Sequence, residues 1–566
     1  MNYLIEVITT VATMALVTWV ILEILESFGF SKNVFRLPVS WIFRIAGRFL
    51  KALFKALGWF VKHLLRLPFG TSRTNGFISR RDKSLRGKGL RVAHKAHISL
   101  EAAFAGTLTV AASGSGKSES VIIPGILNLA SQKNPPCLVI TDPKGALFDA
   151  TSGFLEKQGY RIKVISPAQI ATSNRFNPLA GLSTIAEFKQ LADALLLAAE
   201  FEGHGESIWS KAGKDLVTMM ITLIKRLPNM EDHALHNVLK MVRLANSGEL
   251  DGLFAAYADE ELMTKYKSFT LKNEEYQAGV ISNAEMMLER FEDPDLAALM
   301  AHDDLELESF RTGEKPVAIF MIFPAEKAKY YGFLASLLYQ RIFDLCSSRI
   351  DPNDRDVFCF LEEFTNCPKI PNFINYLTYI RQFRVSINIY TQAVSQIQKV
   401  YGSDDCKTIL DGACATRLYL GQGIGATDAK ELSFRLGQVT KQEKERTSAY
   451  SLMKPEELEQ LDMKKCLLLQ RGLPPALLKK RHYKSYRWTF KKWAILEPYQ
   501  PPVREFAPLS FVDLQNFRVP ESEEPMVEAI SEQEETMEES FQEQDVATEG
   551  DQESAGTDIG EEDEQV

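Results

Sequence analysis

Residues 107–130, TLTVAASGSGKSESVIIPGILNLA, pass directly from an apolar strand through a loop of small residues into a helix. That succession constrains the fold more than any other feature of the chain, because it aims a strand end, a glycine-containing turn and a helix N-terminus at one point, where an anion is held. Gly114 and Gly116 let backbone N–H groups turn inward around phosphate oxygens. Lys117 can reach the β- and γ-oxygens, and Ser118 offers a hydroxyl to Mg2+. Ser113 and Ser115 complete the loop. Ala111 occupies the position of the first glycine in the pattern G-x-x-x-x-G-K-[ST], which removes no ligand. The ligands expected from this loop are ATP and Mg2+.

A phosphate loop that hydrolyses its nucleotide also needs an acidic strand end beside it. Residues 356–366, DVFCFLEEFTN, supply one: an apolar strand closing on Glu362 and Glu363. The first acid is expected to hold the hydrated metal with Ser118, and the second to polarise the attacking water. Glu362 is one methylene longer than the aspartate usual at that position.

The chain around these motifs reads as α/β. Apolar runs at Thr107–Ala112, Cys137–Thr141, Arg161–Ile165, Val317–Phe323, Val357–Leu361, Val385–Tyr390, Ala415–Leu420 and Cys466–Leu469 alternate with helical stretches, as buried parallel strands do. From Thr184 to Arg311 the periodicity is helical throughout, which predicts an all-α insertion. Trp209, within it, reads as core rather than as a platform for stacking bases. No period repeats.

Charge is segregated along the chain. From Glu521 to Val566 there are 19 acidic residues and no Lys or Arg, so residues 1–520 carry +10 although the whole chain carries −9. All of that excess lies before residue 96, where 16 basic residues face 4 acids, and the stretch from there to the acidic end is close to neutral. The acid-rich end has few large apolar side chains and is predicted to be a disordered tail. Val7–Leu25 is 19 residues long with one charge, Glu23, which is enough to cross about 30 Å of hydrocarbon. No basic residue precedes it, so it reads as an uncleaved anchor. The basic residues that follow place the N-terminus outside and the bulk in the cytoplasm. Residues 41–66 form a basic amphipathic helix suited to lie on anionic lipid; packing on the soluble domain or a second crossing are the other readings. Seven scattered cysteines without a C-x-x-C pair argue against a disulfide framework or a zinc site.

The run LEEFTNCPKIPNFINYLTYIRQFRVSINIYTQAVSQIQKVYG, with the phosphate loop, VITDPKGAL, RFNPLAG and RGLPPALLKKRHY, resembles the TraG/TraD class of type IV coupling proteins over residues 95–490. The resemblance implies an inner-membrane ATPase with a RecA-like nucleotide-binding domain, an all-α domain inserted into it, and assembly as a homo-hexamer at a type IV secretion or conjugation channel. It implies as partners the channel components and either a relaxase bound to single-stranded DNA or protein effectors. By the same resemblance Gln392 senses the γ-phosphate and Arg381 reaches the nucleotide of a neighbouring subunit, with Arg384 competing for that role. Asp142 and Lys144 lie near the loop or serve only a turn. Ala146 replaces the acid of the family's DPKGE-like motif, a departure beside those at Ala111 and Glu362.

The expected layout is an anchor (1–30), a basic membrane-proximal segment (31–95), a nucleotide-binding domain in two parts (96–183 and 312–518) flanking the insertion (184–311), and the tail (519–566). The function expected is recruitment of nucleoprotein or protein cargo and its transfer driven by ATP hydrolysis. Two alternatives stand beside it: a substrate receptor in which ATP binding serves assembly, and another P-loop DNA translocase.

Overall fold

Runs of Val, Ile, Leu and Phe without polar alternation must be covered on both sides. In the computed structural model, which describes residues 76–79, 82–202, 208–443, 446–486 and 496–514, they are. The predicted anchor, the basic helix 41–66 and the acidic tail lie outside these residues. Among the described residues no helix is long and apolar enough to cross a membrane.

A short hairpin, β1 (Arg91–Ala93) with β2 (Ala96–His97), precedes the main sheet. The sheet contains β3 (Thr107–Val110), β4 (Cys137–Asp142), β5 (Arg161–Ile165), β6 (Val317–Ile322), β7 (Val357–Leu361), β8 (Val385–Thr391) and β9 (Thr416–Leu420), all parallel. A second hairpin, β10 (Gln438–Glu443) with β11 (Arg446–Ser451), stands apart from it. β12 (Lys465–Gln470) then joins β9 antiparallel, and β13 (Ala476–Lys479) closes that edge. The spatial order is β13-β12-β9-β3-β8-β7-β4-β6-β5. The phosphate-loop strand β3 therefore has β8 between it and the acidic strand β7, and parallel pairing brings all three C-terminal ends to one rim of the sheet.

Period-two alternation divides the core. On β7, Val357, Cys359 and Leu361 join the cluster that contains the inserted helices, while Phe358 and Phe360 join the opposite cluster with Ile123–Ala130 and the helix Ala146–Lys157. All seven cysteines are buried and unpaired.

Between β5 and β6 the described chain forms helices and no strand: Ile185–Glu202, Ser210–Ile224, Leu235–Arg243, Asp251–Tyr257, Glu260–Thr270, Glu274–Leu288 and Pro294–Ala301. The starts are written in the sequence. Asp259 and Asn273 accept from the backbone N–H groups of Leu262 and Tyr276, and Pro294 opens its helix just after Asp293. Trp209 packs partly buried against this core, edge-on to Tyr276 at 5.3 Å, as a structural residue does.

Beyond the sheet, residues 496–514 run over the surface without helix or strand and tie the two parts together. Tyr499 N donates to Ser152 Oγ at 3.0 Å, and Arg504 Nε pairs with Asp304 at 3.3 Å. Ser510 Oγ donates to Asp232 at 2.6 Å, and Val512 N donates to Asn237 Oδ1 at 3.2 Å. Val512 and Leu514 are buried against the inserted helices.

Gly153 makes this strap testable. Alanine inside a helix is normally worth about 1 kcal/mol over glycine. Here, however, a Cβ would stand 2.0 Å from the Glu497 carbonyl oxygen, a backbone atom that cannot swing aside. Overpacking of that kind costs about 1–3 kcal/mol, so the clash wins. Gly153→Ala is expected to lower the thermal unfolding midpoint by a few degrees. A raised midpoint would show that the strap does not seat there.

Candidate active site

β3 ends at Val110, and the next residues turn on two glycines in the left-handed region, Gly114 at φ 77° and Gly116 at φ 78°. An L side chain is strained at either position, and this explains the small-residue composition of the loop. Space within 4 Å of where a Gly114 Cβ would stand is open, so the loop rim can be approached closely by a ligand. Ser120 Oγ donates to Gly116 O at 2.6 Å, fastening the loop to the first turn after it. From the other side Gly423 presses on the loop: a Cβ there would lie 2.6 Å from Ala112 N.

At the ends of β3, β7 and β8 the sequence-predicted residues meet. Lys117 Nζ donates to Glu363 Oε1 at 2.6 Å, and Ser118 Oγ donates to Glu362 Oε1 at 2.6 Å. Gln392 Nε2 donates to Glu363 Oε2 at 3.1 Å, so each oxygen of Glu363 has its own donor. Glu363 takes a left-handed φ of 51°, a costly conformation for a residue other than glycine and one that turns the second acid off the line of the strand. Lys117 and Glu362 are 7% and 8% exposed, which removes them from most solvent screening.

Burial raises the proton affinity of Glu362, against the opposing effects of the Ser118 hydroxyl and the Lys117 charge. Asp142, at the end of the neighbouring strand β4, is fully buried, and that burial pushes its carboxyl up to about 7, with Glu362 adding to the rise. One Asp142 oxygen accepts from Phe148 N at 2.8 Å, and the other has no hydrogen-bond partner. The Ser118 hydroxyl and the buried carboxyls of Glu362 and Asp142, one oxygen of the latter without a partner, form a hard-oxygen environment. That fits Mg2+, which keeps several waters and takes one or two protein oxygens.

The two arginines differ. Arg384 Nη2 donates to the carbonyls of Asp351, at 3.1 Å, and of Asp354, and its Nε lies 3.5 Å from Asp356, so its guanidinium is occupied by the loop that leads into β7. Arg381 is exposed, on the short turn Ile380–Phe383 before β8. Seven strand residues separate it from Gln392, or about 23 Å at 3.3 Å per residue, so it cannot serve its own protomer's site. Lys144 is exposed near the end of β4.

A family model described as Type IV secretory system Conjugative DNA transfer matches residues 73–496. The chain belongs to that family. It is 23% identical over 439 residues to Protein VirD4 of Rhizobium radiobacter, covering 73% of this chain and 61% of that one. It is 26% identical over 338 residues to Conjugal transfer protein TraG of Escherichia coli, covering 53% and 51%. The chain thus spans between half and two thirds of the length of these relatives. Among solved structures, plasmid coupling protein TrwB in complex with ADP and Mg2+ aligns with a TM-score of 0.59 at 15% identity, over 76% of this chain and 95% of that one. A trigonal form of the TrwB coupling protein in complex with sulphate gives a TM-score of 0.58 at 16% identity, over 74% and 92%. The fold of this conjugative DNA-transfer family member is therefore of the TrwB type, α/β with a mostly parallel sheet, as a RecA-like P-loop domain requires.

Sequence reasoning missed three contributors to this family member's site. Gln396 Oε1 accepts from Gln392 N at 3.2 Å and from Thr391 Oγ1 at 3.0 Å, locking the strand end that carries Gln392. Its spacing of four from Gln392 was a usable signal. Gly423 and Lys480, which donates to Ser115 O at 2.5 Å, come from distant segments and carry no such signal.

Proposed function

We propose that the protein is a membrane-anchored, Mg2+-dependent ATPase that acts as a hexameric coupling protein, bringing relaxase-bound single-stranded DNA or protein effectors to a type IV secretion channel and driving their transfer. The observation that carries this reading is the convergence of Lys117, Ser118, Glu362, Glu363 and Gln392 within hydrogen-bonding distance on one sheet rim. Membership of the conjugative DNA-transfer family and the likeness to a fold solved with ADP and Mg2+ support it.

In this reading Lys117 and the loop N–H groups bind the β- and γ-phosphates, and Ser118 and Glu362 hold the metal. Mg2+, when bound, supplies charge neutralisation at the phosphates. Glu363 accepts the proton of the attacking water, and Gln392, fixed by Gln396, holds Glu363 in register. The nucleotide must displace Lys117 from Glu363, and that exchange frees the carboxylate for the water. Arg381 completes the site of the adjacent subunit, where an arginine supplied in trans is worth about 10³-fold or more. The acidic tail recruits basic cargo, and residues 1–70 hold the ring at the membrane.

Mixing variants tests both the ring and the chemistry. Purified full-length Arg381→Ala and Lys117→Ala chains are each expected to hydrolyse ATP at background. Co-assembled, they should recover part of the activity, because some interfaces then pair an intact loop with an intact arginine. A mixture as inactive as its parts would overturn the trans role. Full activity in Arg381→Ala alone would exclude that residue.

A further inference from the structure

Lys480 is 8% exposed, and its ammonium group donates at 2.5 Å to the carbonyl of Ser115, between the two left-handed glycines of the phosphate loop. It arrives there from a fixed base. The Lys480 N–H donates to Lys464 O at 2.7 Å, and the Lys479 carbonyl accepts from His94 N at 3.0 Å, so the end of β13 is held from both sides. Two residues further on, His482 Nε2 stands 2.6 Å from Glu119 Oε2, on the first turn after the loop.

We propose that Lys480 is a positioning residue for the nucleotide, holding the Ser115–Gly116 peptide so that the Gly116 N–H is presented to phosphate. This deepens the reading of the loop as a nucleotide site and rests on it. A trans peptide carries its C=O and the following N–H on opposite sides. Pinning the Ser115 oxygen towards Lys480 therefore turns the Gly116 N–H the other way. Gly114 and Gly116 make the loop conformation accessible but also leave it many alternatives. An unrestrained loop must lose that freedom each time a nucleotide binds, whereas a restrained one has lost it in advance. A buried ammonium without an acceptor is strongly unfavourable, so the lysine and the carbonyl hold each other. The His482–Glu119 pair is partly exposed and screened, and it cannot substitute for Lys480.

The test uses the full-length chain in detergent, with ADP plus Mg2+ as the binding probe, MgATP as substrate, and amide hydrogen exchange of residues 113–118 measured without nucleotide. In Lys480→Met, which keeps the length and loses the donor, the Kd for ADP and the KM for ATP should each rise about tenfold, the factor expected for one charge-assisted hydrogen bond. The kcat at saturation should stay within about twofold, as for a residue that acts on binding rather than on the chemical step. Exchange at Gly116 and Lys117 should quicken. Lys480→Arg, which retains a donor, should recover much of the affinity. Unchanged ADP affinity and exchange in Lys480→Met, or a lower kcat at unchanged affinity, would overturn the proposal. If Lys480→Met does not fold, Lys480→Gln, too short to reach Ser115, takes the same measurements with the same expectation. Failure of the wild-type chain itself to bind ADP would instead overturn the nucleotide reading beneath it.

Discussion

Lys117→Ala is expected to abolish ATP hydrolysis and substrate transfer, with kcat/KM falling at least 10²–10³-fold, the scale of losing one preorganised donor to a phosphoryl or oxyanion group. Two effects act in the same direction. The lost ammonium no longer neutralises phosphate charge, and the Glu363 carboxylate, which that ammonium contacts at 2.6 Å, is left facing the incoming nucleotide without its countercharge. Two like charges about 4 Å apart repel by about 4 kcal/mol at the effective dielectric of a partly buried protein site, enough to weaken binding as well as turnover. Nucleotide affinity and hydrolysis measured on the full-length chain, with transfer assayed in cells, check the expectation. Normal transfer by this variant would reject the motor.

Glu363→Gln separates binding from chemistry. The amide keeps the shape and still meets Gln392, but it cannot take a proton from water, so hydrolysis should fall by about 10²–10⁴-fold, the range for loss of a general base. ATP affinity should be equal to or tighter than that of the native chain, because Lys117 is released from its partner and a negative charge leaves the phosphate side. The same logic predicts non-additivity: Lys117→Ala with Glu363→Gln should bind ATP better than Lys117→Ala alone, since the second change removes the repulsion that the first exposed. Equal binding in the single and double variants would mean that the pair does not face the nucleotide.

Most of the sheet was legible because most of its strands are apolar runs that no other environment suits; β7 begins and ends where the hydrophobicity does, and β5, RIKVI, shows the alternation of a strand at the sheet edge. β13 was not, since ALLK lies between a Pro-Pro pair and further lysines and looks like a turn. The hairpin β10–β11, QVTKQE against RTSAYS, has no apolar side to betray it. In the site, the loop and the paired glutamates were readable because phosphate and metal chemistry require contiguous residues. Gln396 was within reach of a spacing argument. Gly423 and Lys480 were not, because the loop they support says nothing about which distant backbone presses on it.

The strap at 496–514 bears on how force passes through the molecule. An insertion that enters near residue 184 and leaves near residue 311 hangs from two covalent joints, and two joints leave an axis about which a body can swing. A third tie off that axis removes the swing. The strap supplies it, fixed at Ser152 beside the sheet and at Asn237 on the inserted helices. The remaining 52 residues of the chain begin immediately after Leu514, itself buried against those helices. Tension applied to that end is delivered first to the helix Leu235–Arg243, next through Arg504 to Asp304 near the exit of the insertion, and then through Tyr499 to Ser152 in the layer covering the sheet. Cargo drawn by its attachment to the C-terminal end would pull on the insertion and the nucleotide core as one frame.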